Sequence, residues 1–180
     1  RIPGMEGNDR KDMKLSADRY FDEQRLMDIH VLSTLGLTEE DIEVLEAEEG
    51  VSRAEGAYTV DAIVPLGDND YIVKVLSLSQ EEGINIPRLV EGRLPQKAGE
   101  CLVEPLLLKE SGLAGGDTIV LDTGTGSFED ALTREEYTIV GTADSPLYIG
   151  IERGSSTLGT GKVSAFGLLP ESSFALGYFN

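Results

Sequence analysis

Cysteine, histidine and tryptophan are almost missing from this 180-residue chain, which has Cys101, His30 and no tryptophan. A single cysteine excludes an intrachain disulfide and any cysteine-rich zinc site. A single histidine leaves a hydrolase only one imidazole base, and no Gly-x-Ser-x-Gly elbow accompanies it. Basic residues are scarce too, 15 against 33 acidic, for a net charge of −18. Such a surface repels phosphate backbones, so no nucleic-acid partner is expected. It is also pushed away from anionic headgroups, which suits a domain standing off a membrane. No run approaches the roughly 18 apolar residues of a membrane span, and no signal peptide is visible.

What is present reads as globular. Apolar residues make up 40% and are spread along the chain, enough for one ordinary domain or two small ones sharing a sheet. The chain opens on Arg1 and closes on Phe179-Asn180 just after an apolar run, so a segment of a longer protein is expected. No internal repeat or low-complexity tract interrupts it.

Turn and strand signals are densest between 91 and 142. Gly92-Arg93-Leu94-Pro95 predicts a tight turn, 100–104 a strand, and Pro105 the start of a short helix. The break Gly112…Gly115-Gly116-Asp117 precedes a strand at 118–121, a polar Gly-rich hairpin loop and a closing strand at 137–142. Upstream, residues 1 to about 13 lack periodicity and predict a tether, with an amphipathic helical turn or two over 14–24. Residues 26–33 (LMDIHVLS) alternate as a strand. Thr38-Glu39-Glu40-Asp41 is an acidic capping box opening a helix over 39–48, with Ile42 and Leu45 inward and Gly50 as its stop. A long strand over 51–64, with Gly56 as a bulge, turns through 65–70 into a partner over 71–79. Residues 84–89 and 144–149 read as extended. A Gly/Ser/Thr-rich loop over 153–161 leads to a strand at 162–169 and a helix opened by Pro170-Glu171. The fold class expected from this order is α+β.

Four short motifs invite a chemical reading. Val120-Leu121-Asp122-Thr123-Gly124 matches the active turn of aspartic proteases, in which two aspartates share a proton and activate water. No second Asp-Thr/Ser-Gly exists in this chain, so a strand running into a hairpin loop fits better. Gly159-Thr160-Gly161-Lys162-Val163 falls short of a phosphate-binding loop, with Ser156 in place of the first glycine and Val163 in place of the magnesium-binding hydroxyl. Gly67-Asp68-Asn69-Asp70 stops too early for a calcium loop and fits a hairpin turn. Cys101, followed by Leu102 and Val103, reads as inert strand packing. The expected sites are therefore none: no catalytic residue, no metal ligand and no cofactor.

The order of motifs does resemble a family. A strand followed by "STLGLTEEDIEVLEAEEGVSRAEGAYTVDAIV", then "NIPRLVEGRLPQKAGECLVE", "GGDTIVLDT" and "YTIVGTADSP", is similar to the extracytoplasmic domain of MacB/FtsX/LolC-type ABC transporter permeases. The tail "SPLYIGIERGSSTLGTGKVSAFGLLPESSF" resembles permease-like proteins of Gram-positive anaerobes. The resemblance spans about 13–174. It implies a lead-in from a transmembrane helix over 1–24, a porter-like α/β sandwich built from 25–82 and 143–180, and an inserted β-rich, sabre-like part over 83–142. It implies a non-catalytic domain outside the membrane that transmits motion or docks a partner or substrate. The implied assembly pairs a membrane-embedded permease, as a dimer, with a cytoplasmic ABC ATPase. A ligand- or peptide-binding module of a surface protein is the alternative reading, with an aspartic protease built on Asp122, Thr123 and Gly124 behind it. The loop tip at 123–135 is the first place to expect a partner.

Overall fold

The computed structural model describes residues 7–79, 82–124, 131–149 and 154–180, with side chains from Lys14 onward. Its centre is a seven-stranded mixed sheet. The strands are β1 (Thr59–Leu66), β2 (Asn69–Ser77), β3 (Arg88–Gly92), β4 (Glu100–Val103), β5 (Thr118–Val120), β6 (Glu136–Asp144) and β7 (Ala165–Leu169). The described residues also form the α-helices α1 (Gly7–Glu23), α2 (Glu39–Glu46) and α3 (Pro105–Ser111). The α+β class read from the sequence is the class of the fold.

The sheet runs β1-β2-β7-β4-β6. The β1–β2 hairpin is antiparallel and tight, with Leu66 opposite Asn69 and only Gly67-Asp68 between them. Gly67 has φ +62 at the first central position, which is why glycine is needed there. β7 lies parallel to β2 and antiparallel to β4, and β4 lies parallel to β6. Segments far apart in sequence thus share one sheet: β7 sits between the hairpin at 59–77 and the strands at 100–144.

The far edge of β6 is divided. Its first residues pair with β5 and its last with β3. Just beyond β5, Asp122 reaches the other end of the sheet: Ile63 N–H donates to the Asp122 carbonyl at 2.6 Å and Asp122 N–H to the Ile63 carbonyl at 2.8 Å. The sheet therefore closes on itself as a small barrel, and closure removes the β1 edge that would otherwise be free to pair.

Alternation along six strands fills that barrel. Ala62 and Val64, Val73 and Val75, Cys101 and Val103, Ile119, Tyr137 and Ile139, Ala165 and Leu169 are all buried and form one cluster. Leu107 of α3, Leu132 and Phe174 join the same cluster. The opposite face of β4 and β7 is covered separately, by Leu102, Ala143, Phe166 and Leu168 with Tyr148 stacked on Phe166 at 5.2 Å. β4 and β7 are buried along their whole length, which explains why they read as unbroken apolar runs.

The C-terminal segment is a strap. Leu37 and Phe179 exchange backbone hydrogen bonds at 2.8 Å, and the Asn180 side chain bonds both backbone groups of Thr59. The Phe179 ring lies over Gly56 and against Tyr58, whose ring also stacks on Phe174 at 5.3 Å. Gly56 is where an aromatic ring presses on the backbone, not a strand bulge.

Several sequence expectations are corrected here. Residues 26–33 belong to no strand; at the start of the segment the Met27 N–H is taken by the Asn85 side chain instead of a strand carbonyl. The strand expected over 51–64 begins only at Thr59; at Tyr58 the ladder ends, since its N–H goes to the Ser77 hydroxyl instead of a backbone carbonyl. The expected tether is helical from Gly7, and α1 runs to Glu23. α2 has the Thr38/Asp41 capping box but no buried residue, and Ala47 caps its C-terminus ahead of Gly50. Residues 145–148 form a turn, with Tyr148 N–H donating to the Ser145 carbonyl. After Pro170 comes a single 3-10 turn, Glu171–Ser173, not a helix.

Candidate functional site

The residues that look most like an active site are used up in holding the barrel. Both backbone groups of Asp122 form the closing bridge, and its carboxylate accepts the Gly124 N–H at 2.8 Å. This is an Asx turn, the local bond that short acidic side chains make at strand ends. Residues 125–130 lie outside the described residues, so the expectation of a partner at 123–135 falls mostly outside them.

Cys101 is enclosed in the barrel, 1% exposed, and burial pushes its thiol up to about 12. A thiol of that kind carries almost no thiolate near neutral pH and is no nucleophile. His30 lies in the exposed extended segment. Asp68 lies in the two-residue hairpin turn and Asp70 in β2, opposite Pro65. Among the described residues no group of three or more His, Cys, Asp and Glu side chains could hold a metal. Lys162 bridges back to Ser155 and Val163 is buried. No helix starts after Lys162, so the segment has no phosphate-binding geometry.

The "EGRLPQKAGE" motif turns out to be a structural clamp. Arg93 makes a two-pronged bond to Glu100, at 2.8 and 2.7 Å, and the same carboxylate accepts the Gln96 N–H at 2.8 Å. Glu100 is 6% exposed, so the guanidinium and the amide replace the water it has lost. Gly92 has φ +81 and lies against the Val140 carbonyl, while a side chain at Gly141 would come within 2.5 Å of the Glu91 carbonyl. Only glycines let β3 cross β6 this closely. The sequence reading found the turn but missed the ion pair. An Arg and a Glu seven residues apart across a Pro turn were the only signal for it.

This clamp predicts a pH dependence. The Arg93 guanidinium, followed by the Gln96 N–H, holds the Glu100 carboxyl down to about 2. A carboxyl depressed in the folded state stabilises it above the unfolded value of about 4.3. That contribution is lost as pH falls from there toward 2. Urea midpoints measured from pH 6 to 2 should therefore fall less steeply below pH 4.5 in Glu100→Gln than in the parent. Parallel curves would show that the clamp is not linked to folding.

A second ion pair, Arg88 with Asp144, ties β3 to the end of β6, and the Arg88 guanidinium sits 5.5 Å from the Tyr20 ring centroid. That contact anchors α1, whose residues 14–19 are all exposed. β3 itself is exposed along its length and, among the described residues, pairs only with β6.

Exposed apolar side chains also gather elsewhere, on residues 29–35 and on α2. Leu35 is 90% exposed, Ile29 77%, Leu32 71% and Val44 63%. Beside it is a groove of about 300 Å³ lined by Leu37, Thr38, Glu39, Glu40, Tyr58 and residues 177–179.

No family model and no curated protein matches this chain. Among solved structures, it is similar to the periplasmic region of MacB from Actinobacillus actinomycetemcomitans, at 12% identity and a TM-score of 0.47. That likeness covers 79% of this chain and 57% of the other, so this chain spans little more than half of that region. It is similar also to the extracellular domain of the noncanonic ABC-type transporter YknZ from Gram-positive bacteria, at 10% identity and a TM-score of 0.47, covering 79% and 72%. Among the described residues no helix is long and apolar enough to cross a membrane.

Proposed function

We propose that this chain is a non-catalytic extracytoplasmic domain of an FtsX/MacB/LolC-type ABC transporter permease. The observation that carries the proposal is where the ordered motifs fall. "TEED" caps α2, "EGRLP…GE" clamps β3 to β4, "GDTIVL" forms β5 and its continuation, and "YTIVGTAD" forms β6. Each motif lies at a joint of the framework, and none converges with another on a reacting centre. A domain of this kind passes motion on or holds a partner outside the membrane. In this reading the parent chain sits in the membrane as a permease dimer and couples to a cytoplasmic ATPase. Residues 83–142 form the sabre-like insertion into a porter-like part at 25–82 and 143–180.

Cys101 is buried, so labelling offers a test once any cysteines outside these 180 residues are replaced by serine in the parent. Ser52→Cys places a thiol at an exposed position in the full-length gene product, expressed in its host. A membrane-impermeant maleimide should label it in intact cells and leave the parent unlabelled. Labelling only after lysis would refute the topology.

The protease reading has its own expected result. Asp122 is held in the barrel seam and no second Asp-Thr/Ser-Gly is present, so the protein and Asp122→Asn should both lack peptide cleavage between pH 3 and 6. Cleavage by the parent that disappears in Asp122→Asn would reinstate it. The open edge of β3 favours one further reading, a module that binds an extended peptide by strand addition.

A further inference from the structure

Residues 26–51 present a surface that the barrel does not use. They contain eight acidic residues and no lysine or arginine. Six large apolar side chains stand exposed among them: Ile29, Val31, Leu32, Leu35, Val44 and Val51. Exposed apolar side chains this concentrated mark an interaction surface. Residues 29–32 belong to no strand, and none of the backbone hydrogen bonds of the described residues uses them, so they offer both backbone hydrogen-bonding groups and apolar side chains to an incoming strand.

Charge decides the occupant. A second copy would bring the same eight acids and a net charge of −18 against this face, and an anionic bilayer is repelled in the same way. The adjoining groove adds a specific feature, since Glu39 and Glu40 line it together with Tyr58 and Tyr178. Two acidic residues lining one groove suit a guanidinium or ammonium.

We propose that residues 26–51, with the groove beside them, dock an extended polypeptide segment in which apolar residues alternate with lysine or arginine. This deepens the docking role proposed above by naming the surface and the chemistry of the partner. It rests on the exposed surface and not on topology, so its failure would leave the labelling result intact.

Synthetic probes test it directly: (Leu-Lys)4 against (Leu-Glu)4, titrated into the isotope-labelled chain and followed by amide shifts. The lysine peptide should shift amides within 26–51 and around 177–179, and the glutamate peptide should shift none. Ile29→Ser with Leu32→Ser should weaken binding roughly tenfold, and so should Glu39→Gln with Glu40→Gln. Asp68→Asn with Asp70→Asn removes the same charge at the far end of β1 and should change nothing. Thermal melting checks that each variant folds.

Equal weakening by the hairpin variant would mean that bulk charge alone attracts the peptide, and would overturn the proposal. So would dimerisation abolished by Ile29→Ser, or binding to phosphatidylglycerol vesicles in place of the peptide. Protection of the 26–35 amides from exchange in a longer product of the same gene would show that its own polypeptide covers the surface, and would also overturn it.

Discussion

Ile139→Ala is expected to lower stability by about 2–5 kcal/mol and to do so in a single unfolding transition. Ile139 lies fully enclosed among residues of β1, β2, β4 and β7. Truncating it removes buried methyl and methylene groups and leaves a cavity that a closed barrel collapses poorly. Domains are stable by only about 5–15 kcal/mol in total, so the loss is a large share. For a chain of this size each kcal/mol lowers Tm by roughly 2–4 °C. Calorimetry with circular dichroism reads both size and cooperativity.

Cooperativity is the sharper measurement, because Ile139 lies within 83–142, the proposed insertion, while Val64, Val75 and Leu169 lie outside it. A core shared through β7 makes both parts melt together. Two separated transitions, with only one moved by Ile139→Ala, would show that the parts have independent cores. Val120→Ala, on the same sheet but 41% exposed, should cost less than about 1 kcal/mol.

Gly92→Val should unlatch β3. At φ +81 a β-branched residue carries left-handed strain of about 1–3 kcal/mol. Its side chain would also run into the Val140 carbonyl, which is backbone and cannot swing aside. The clash is relieved only if β3 parts from β6, which forfeits ladder hydrogen bonds worth about 1 kcal/mol each. The Arg88–Asp144 pair goes with them, and so does the register that sets Arg93 on Glu100. Gly141→Val approaches the same crossing from the other strand and should act alike. Hydrogen exchange checks this: amides of β3 and of 141–144 should lose protection while β1 and β2 keep theirs. Unchanged protection in both variants would mean that the crossing tolerates a side chain, and the clamp argument would fail with it.

Much of this chain was legible because local chemistry and tertiary need agree. The capping box at Thr38–Asp41, the hairpin turn at Gly67, Pro105 at the start of α3 and Gly112 at its end each need only neighbours in sequence. The alternation of β1 and β2 and the apolar runs of β4 and β7 follow from which faces are covered. Cys101 was read as inert packing from the residues beside it, and burial makes it so. The absence of a second Asp-Thr-Gly already weakened the protease reading before any geometry was known.

Tertiary structure decided the rest, and in each case the reason is non-local. Residues 26–33 have every local property of a strand, yet a strand needs a neighbour. The Ile63–Asp122 bridge closes the free edge of β1, and Met27 N–H bonds the Asn85 side chain instead of a neighbouring strand. α2 has an apolar stripe in Ile42 and Leu45, yet it stands outside a barrel whose core is already filled by strands and α3. No local pattern shows that Asp122 closes the barrel, because its partner Ile63 lies 59 positions earlier. The sequence by itself determined the elements, the turns and the acidic character of the surface, since these depend on neighbours and composition. Which strand edge stayed open, which apolar residues stayed in water and what Asp122 is for were decided only when the sheet closed, because closure sets distant residues side by side.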